Sequence, residues 1–480
     1  MSTASGTATP ASGAATKSVE GGRRNLGVLA LMAINVAAIV SARNLPVMAV
    51  YGWSMLVLFA LAILVFLVPV SMVAAELGTA WPEEGGVYAW VREAFGGRTG
   101  FLAVWCDYAE NIPWFPTVLS FMAASLAYVV DPDLATNKLY LVTLMLVMFW
   151  VATLINLRGA AASTWFGGIG TVVGSIVPAL LVVGLGIAWL VSGQRSEIPF
   201  SGHALVPNIS FGNLAFLGGI ILLFTGMEMA GFHANDTVDP GRTVPRSIAL
   251  SVIVIVVFSV LGSLFLAFIV PAHELSLVSG TMELFQRALG RLGISWLLRP
   301  LALLVGLGGL AHLSPWILGP AKGMAAVAHD GRAPASFGRL NARGVPVGLL
   351  IAQGIGGTIF ALLFLFVPDA STSYWMLSAV TAQIVAVMYA LVFAAFIRLR
   401  FSQPDRARPY RVPGGRVGMW CVGSVGVLAC TGSLFLGFIP PDQLKTGSPV
   451  AYVSLLAGAT TVLCLPPFVW AAWERRRARV

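Results

Sequence analysis

The residues best suited to do chemistry lie in a short stretch, Phe224 to Asp236, with the sequence FTGMEMAGFHAND. It places a carboxylate, Glu228, and an imidazole, His233, among glycines inside a hydrophobic segment. Ionisable side chains at membrane depth are costly and are functional-site candidates by default. Glycines beside them favour an interrupted helix, whose free N–H and C=O groups a ligand can satisfy and lipid cannot. The stretch is therefore typical of one half of a solute-binding site.

The backbone of Thr225, Gly226 and Met227 is preferred over the Glu228 carboxylate as the binding element. Half-helix N-termini present free N–H groups and partial positive charge, which suit a carboxylate, and free carbonyls suit an ammonium. A glycine packing notch beside one buried acid is the alternative interpretation. His233 lies further along, where a gating or interfacial role is favoured over binding.

Arg43 interrupts the first hydrophobic segment in a similar way, within IVSARNLP. Ser41 and Asn44 are poor lipid-facing residues, and we add them to the candidate site. Pro46 lacks a backbone donor and disfavours helix at Leu45. The first helix should therefore also carry a polar break. Paired broken helices are the best sequence pointer to the site of an inverted-repeat transporter.

Two roles remain open for Arg43. Its guanidinium could hold a substrate carboxylate through two parallel hydrogen bonds. It could instead form a structural or gating ion pair with Glu228, Asp107 or Glu110. An unpaired arginine inside the membrane is costly, so it requires one partner or the other.

A third hydrophobic segment carries Asp107, Tyr108 and Glu110. Because Asp107 and Glu110 lie three residues apart, they share one face of a helix. That face must look into protein or a water-filled cavity. Proton relay, binding of a basic group and plain hydrogen bonding to neighbouring helices all fit the pattern.

The eighth segment offers His312 and Trp316, four residues apart and so on one face. The imidazole titrates near neutral pH when unperturbed, so it could make transport pH-sensitive, or it could simply be hydrogen-bonded. Gln383 and Tyr389 on the tenth segment are weaker candidates. Glu76, at a helix end, is interpreted as an anchor for neighbouring loop backbone.

The elements that position these residues are membrane helices. The 480 residues are 58% hydrophobic and 10% charged, against about 25% charged in a soluble domain. About twelve segments are long enough to cross a bilayer, which takes roughly 20 apolar residues. They are predicted at 26–51, 54–77, 99–130, 139–157, 164–191, 212–235, 245–270, 296–328, 345–367, 374–399, 416–439 and 450–473.

Lysine and arginine are concentrated in alternate loops, which predicts both termini on the cytoplasmic side of the cell membrane. That bias explains the net charge of +9, so no nucleic-acid partner is expected. Residues 1–25 should form a disordered cytoplasmic tail, 26–400 a ten-helix transport core, and 401–480 two peripheral helices with a short cytoplasmic end.

Catalytic and metal-binding signatures are absent from the sequence. The four cysteines have no CxxC spacing, and neither a phosphate-binding loop nor an HExxH motif occurs. We therefore expect no cofactor, no metal and no enzymatic activity.

Several longer motifs resemble the amino acid–polyamine–organocation transporters. The likeness runs from about residue 26 to 473 and is closest to the glutamate/γ-aminobutyrate antiporter branch. The motifs are AEL at Ala75–Leu77, WPEEGGVYAW at Trp81–Trp90, EMAGFHANDTVDPGR at Glu228–Arg242 with Pro245, WILGPAKGM at Trp316–Met324, GVPV at Gly344–Val347, PGG at Pro413–Gly415 and IPPD at Ile439–Asp442.

The resemblance implies an all-α polytopic membrane protein of the leucine-transporter type. This fold is a five-plus-five inverted repeat in which the first and sixth helices are broken. The site would lie between those helices, with the third, eighth and tenth contributing, and Trp316 matches an aromatic residue of the family's site. Two departures from the family pattern stand out. Arg43-Asn44 stands where the family has an aromatic residue followed by an acidic one, and His312 lies near the position of another acidic residue. The chain also ends at Val480, so we expect no C-terminal plug.

The expected function is secondary active transport of amino acids by alternating access, with exchange of an acidic amino acid for an amine as the preferred mode. Proton-coupled uptake of an amino acid or amine is the alternative. A non-transporting membrane sensor on the same scaffold is an alternative of a different class. The expected partners are a small amino acid or amine and the lipid bilayer, and a homodimer is a candidate assembly.

Overall fold

The structure, a computed structural model, describes residues 26–82, 86–159, 170, 172–200, 202–207, 218–219, 223–229, 234, 237–441, 444 and 448–477. Within these ranges the apolar segments are helical, because only a helix pairs each backbone N–H and C=O inside its own segment. Ten helices of the described chain are long and apolar enough to cross a membrane, or eleven if a bent pair is one span. The predicted all-α polytopic fold is confirmed.

The helices are named here in chain order. They are α1 (Val28–Ala49), α2 (Gly52–Ala80), α3 (Val87–Phe95), α4 (Gly97–Val130), α5 (Lys138–Asn156), α6 (Val173–Val191), α7 (Pro240–Ile269), α8 (Gly280–Arg291), α9 (Ser295–His329), α10 (Val347–Phe366), α11 (Ala370–Ser402), α12 (Gly415–Leu436), α13 (Pro449–Cys464) and α14 (Pro466–Arg477). Helices α3 and α8 are short connections, α13 and α14 together form the bent pair, and the other ten are the candidate spans.

The observed bounds follow the predicted segments with three exceptions. In the fifth predicted helix, 164–191, residues 164–169 and 171 lie outside the described residues. The sixth predicted helix, 212–235, falls largely outside the described residues. The twelfth is a pair, α13 and α14, bent by 41°. Pro466 and Pro467 follow the bend, and proline cannot continue the hydrogen-bond ladder of the preceding turn.

Burial separates central helices from peripheral ones. The buried share of the most apolar stretch is 83% in α4, 72% in α11 and 67% in α9, whereas it is 28% in α12. Large apolar side chains on the outer helices are exposed, as Leu154 and Leu428 show at 59% and 69%. Such faces suit lipid, and the three central helices are the ones available to enclose a polar site.

Glu76 corrects the sequence interpretation, because it is more than an anchor for local backbone. Its carboxylate is 1% exposed and accepts two hydrogen bonds from one edge of the Arg400 guanidinium, from Nε at 2.6 Å and from Nη2 at 2.5 Å. Arg408 lies 3.2 Å from the same carboxylate, and the Val412 N–H donates to it at 2.7 Å. The cluster ties the end of α2 to the end of α11 and to the loop 403–414.

We expect Glu76→Gln to lower the stability of the fold substantially. The change would leave two buried guanidinium groups without their carboxylate, a loss of about 3–5 kcal/mol when one partner of a buried pair is removed. The measurement is the apparent melting temperature of the purified protein in detergent.

Glu93→Gln is the matched control for this substitution. Glu93 is 32% exposed and lies 3.6 Å from Arg92, so its surface pair should contribute only about 0–1 kcal/mol. Equal melting temperatures for the two variants would contradict a structural role for the Glu76 cluster.

Candidate functional site

The first helix is interrupted at Val40 and Ser41. Both residues have extended backbone, with φ −68° and ψ 117° at Val40 and φ −145° and ψ 128° at Ser41. A helical turn resumes at Ala42–Asn44 and continues as Leu45–Ala49. The break leaves the last carbonyls of one half-helix and the first N–H groups of the other without helical partners. The predicted break in this helix is confirmed.

Pro46 is not the cause of that break, so this part of the prediction is wrong. Leu45 is helical, with φ −62° and ψ −40°. Pro46 occupies an early position of the half-helix Leu45–Ala49, where the missing N–H would have no helical partner in any case.

A second interruption lies at Gly226. Residues 223–228 form turns, and Gly226 has φ +111°, a conformation that only glycine adopts easily. A Cβ atom at Gly226 would lie 3.2 Å from Cγ1 of Ile39, the last residue before the first break. The two breaks therefore face each other directly.

Tyr389 of α11 bridges the second break to its carboxylate. The Gly226 N–H donates to the Tyr389 hydroxyl oxygen at 2.9 Å, and the hydroxyl in turn donates to the Glu228 carboxylate. One side chain thus satisfies a backbone donor freed by the break and a buried acid.

The breaks enclose a cavity of about 60 Å³ together with side chains of α4, α9 and α11. Most of the residues singled out in the sequence line it. They are Ser41, Arg43, Asn44, Asp107, Glu110, Thr225, Gly226, Glu228, His312 and Trp316. The structure thus brings together residues that lie far apart in the chain.

Arg43 is held by three side chains and is 6% exposed. Its Nη1 donates to Thr117 Oγ1 at 2.6 Å, and its guanidinium carbon lies 5.4 Å from the Trp114 ring centre and 5.9 Å from that of Tyr374. Among the described residues no carboxylate oxygen lies within 4.0 Å of its guanidinium nitrogens. The ion pair with Glu228, Asp107 or Glu110, one of the two roles left open for Arg43, is therefore not formed in this structure.

Asp107 and Glu110 share the cavity-facing side of α4, as their spacing predicted. Glu110 lies where α4 passes from its first part, Gly97–Ala109, to its second, Asn111–Val130. With Glu228, three carboxyl groups and one guanidinium face a single cavity. Such a set attracts ammonium groups or retains protons, since uncompensated charge is costly at this depth.

Helix α9 contributes an aromatic wall. The Trp316 ring lies 5.5 Å from that of Trp114 and is inclined by 52° to it. His312, four residues earlier, lines the same cavity. Two indole rings in contact make part of the cavity wall apolar.

In the part of the chain that the structure describes, no group of three or more His, Cys, Asp or Glu side chains could hold a metal ion.

The model of the family described as "Amino acid permease" matches residues 26–462. An uncharacterized transporter of Legionella pneumophila is 36% identical over 449 residues, which cover 94% of this chain and 97% of that protein. The chain belongs to the amino acid permease family.

Two named relatives of the permease come from Lactococcus lactis. A glutamate/γ-aminobutyrate antiporter is 28% identical over 454 residues, covering 93% of this chain and 90% of its own. A probable agmatine/putrescine antiporter is 27% identical over 399 residues, which cover 82% of this chain and 84% of that protein. The resemblance to amino acid–polyamine–organocation transporters, closest to the glutamate/γ-aminobutyrate branch, is confirmed.

Two predicted residues of the permease do not line the cavity, and a third lies outside the described residues. The Tyr108 hydroxyl donates to the Leu349 carbonyl of α10 at 2.7 Å, because Tyr108 points about 100° around α4 from Asp107. Met227 is fully buried and does not line the cavity. His233 lies outside the described residues, so its gating role stays a prediction.

Sequence reasoning undervalued Tyr389 and missed Trp114 and Thr117. The signal for the last two was available, since Trp114 follows Glu110 by one helical turn and Thr117 follows Trp114 by another. The other weak candidate, Gln383, accepts a hydrogen bond from Thr460 at 2.5 Å and does not line the cavity.

We expect Gly226→Ala to impair both folding and substrate binding. The change places a Cβ in a conformation that L-residues rarely adopt and presses it on Ile39, at a cost of about 1–3 kcal/mol. The measurements are the melting temperature and the transport rate of the variant.

Gly348→Ala is the control, because a Cβ there would meet nothing within 4 Å. Alanine in the α10 helix should be neutral or stabilise the protein by about 0.5–1 kcal/mol. Wild-type behaviour of the Gly226 variant would show that the second break does not depend on glycine.

Proposed function

We propose that the permease is a secondary active transporter that carries an amino acid or its amine across the cell membrane by alternating access. The observation that supports this is the cavity between the two helix breaks, which is lined by three carboxyl groups and one guanidinium. Groups of both signs suit a zwitterion, and the small cavity would bring a substrate into contact with both breaks.

Exchange is the transport mode that the charges favour. An empty cavity with several carboxylates would have to reorient while carrying uncompensated charge, which is costly in a low-dielectric membrane. A cationic substrate bound for the return step removes that cost. Protons could do the same, so proton-coupled uptake is the second candidate. Two of the relatives are named antiporters, which supports exchange.

We place both termini on the cytoplasmic side of the membrane. The support is the concentration of arginine in alternate connections, including Arg406, Arg408 and Arg411 after α11 and Arg475–Arg477 at the end of α14. On this assignment α4 runs from the cytoplasm outward, so Asp107 lies nearer the cytoplasm than Thr117.

Transport by the purified protein in proteoliposomes tests the proposal. Vesicles are loaded with single amino acids or amines, and uptake of a labelled counterpart is followed with and without a pH gradient. We expect counterflow for at least one amino acid and amine pair, with little dependence on the gradient. Uptake into unloaded vesicles that requires the gradient would favour the symport mode instead.

Protein-free vesicles and vesicles with the Gly226→Ala variant are the controls. The absence of uptake and of counterflow for every compound would contradict the transporter proposal and would favour a sensing role.

A further inference from the structure

Arg43 has two aromatic rings beside its guanidinium and several N–H donors left over. Trp114 and Tyr374 lie over the guanidinium at 5.4 and 5.9 Å, which stabilises the cation without using its N–H groups. A guanidinium has five N–H donors in its plane. Among the described residues it donates one hydrogen bond, to Thr117. The other donors remain for a planar anion.

The charges of the cavity are separated along α4. Thr117, which holds Arg43, lies beyond Glu110 and Asp107 in the direction of the Val130 end. At about 1.5 Å per residue, Thr117 is about 10 Å along the helix from Glu110 and about 15 Å from Asp107. The residue that accepts a hydrogen bond from Arg43 thus lies about two to three helical turns beyond the two acids of α4.

We propose that Arg43 is a specificity-determining residue that binds the carboxylate of the transported amino acid, while the carboxyl groups of α4 face its amine. This inference rests on the proposed transport function and adds the orientation of the substrate. Arginine binds carboxylates through two parallel hydrogen bonds, and the flanking rings fix the plane in which those bonds form.

A gating role for Arg43 predicts a different pattern of substrate dependence from a binding role. An ion pair that forms with Glu110 or Asp107 in another conformation would affect every substrate equally. Binding of a carboxylate affects only substrates that have one. The ratio of the apparent KM for an amino acid to the apparent KM for its decarboxylated amine therefore separates the two roles.

The test is counterflow by wild type and Arg43→Met with matched probe pairs, lysine with cadaverine and arginine with agmatine. Glutamate with γ-aminobutyrate is added as a pair in which both members keep a carboxylate. We expect the apparent KM of Arg43→Met to rise roughly ten- to a hundredfold for each transported carboxylate, as for loss of a charged hydrogen-bonded pair. The KM for the amines should change by less than about threefold, within the context dependence of such contributions.

Two further variants keep the test decisive if Arg43→Met does not fold. Arg43→Lys keeps the charge without the planar fork, and Thr117→Val removes the hydrogen bond that orients the guanidinium. Both variants should raise the KM for the amino acid relative to that for its amine, as Arg43→Met does, but by smaller factors. Arg398→Met is the control, because Arg398 also stacks on an aromatic ring, Phe95, but lies outside the cavity.

Equal changes for carboxylates and amines, or no change for either, would overturn the assignment of Arg43. If wild type transports none of the probes, the proposed function fails instead. The rise in melting temperature that each probe causes in detergent then still tests Arg43, since Arg43→Met should abolish the rise for carboxylates alone.

Discussion

Every polar group of a membrane-embedded helix must find a partner inside the protein, and the permease depends on two places where that requirement is relaxed. At Val40–Ser41 and at Gly226 the helical ladder is interrupted and backbone groups lose their helical partners. In hydrocarbon each such group costs several kcal/mol. The breaks are therefore tolerable only because they face each other across a cavity rather than lipid.

The surrounding side chains serve the same requirement. Tyr389 satisfies both the Gly226 N–H and Glu228. Trp114 and Tyr374 shield Arg43, and Thr117 holds it from the side. Away from the cavity, Glu76 and Arg400 form a pair with both partners satisfied. Glu76 and Arg400 thus have charged partners within the protein, whereas Arg43 has donors left for a ligand. That difference is the basis on which we propose a binding role for Arg43 and a structural one for Arg400.

Sequence predicted the parts of the site that violate the rules of a lipid-facing helix. Arg43, Asp107 and Glu228 are detectable because charge is rare at membrane depth, and Gly226 because it stands beside one of them. The partners were not predictable in the same way. Arg400 lies 324 residues from Glu76, and no local pattern announces their contact. Tyr108 was wrongly predicted to bind substrate. It follows Asp107 in the sequence, but adjacent residues of a helix do not share a face, and its hydroxyl donates to the Leu349 carbonyl.

The central claim is that substrate binds between the two helix breaks. An experimental structure of the protein with a transported amino acid tests it most directly. We expect ligand density within hydrogen-bonding distance of the Thr225–Gly226 backbone, with a carboxylate at the Arg43 guanidinium. Density for the amino acid at another place in the protein, with this cavity empty, would contradict the account.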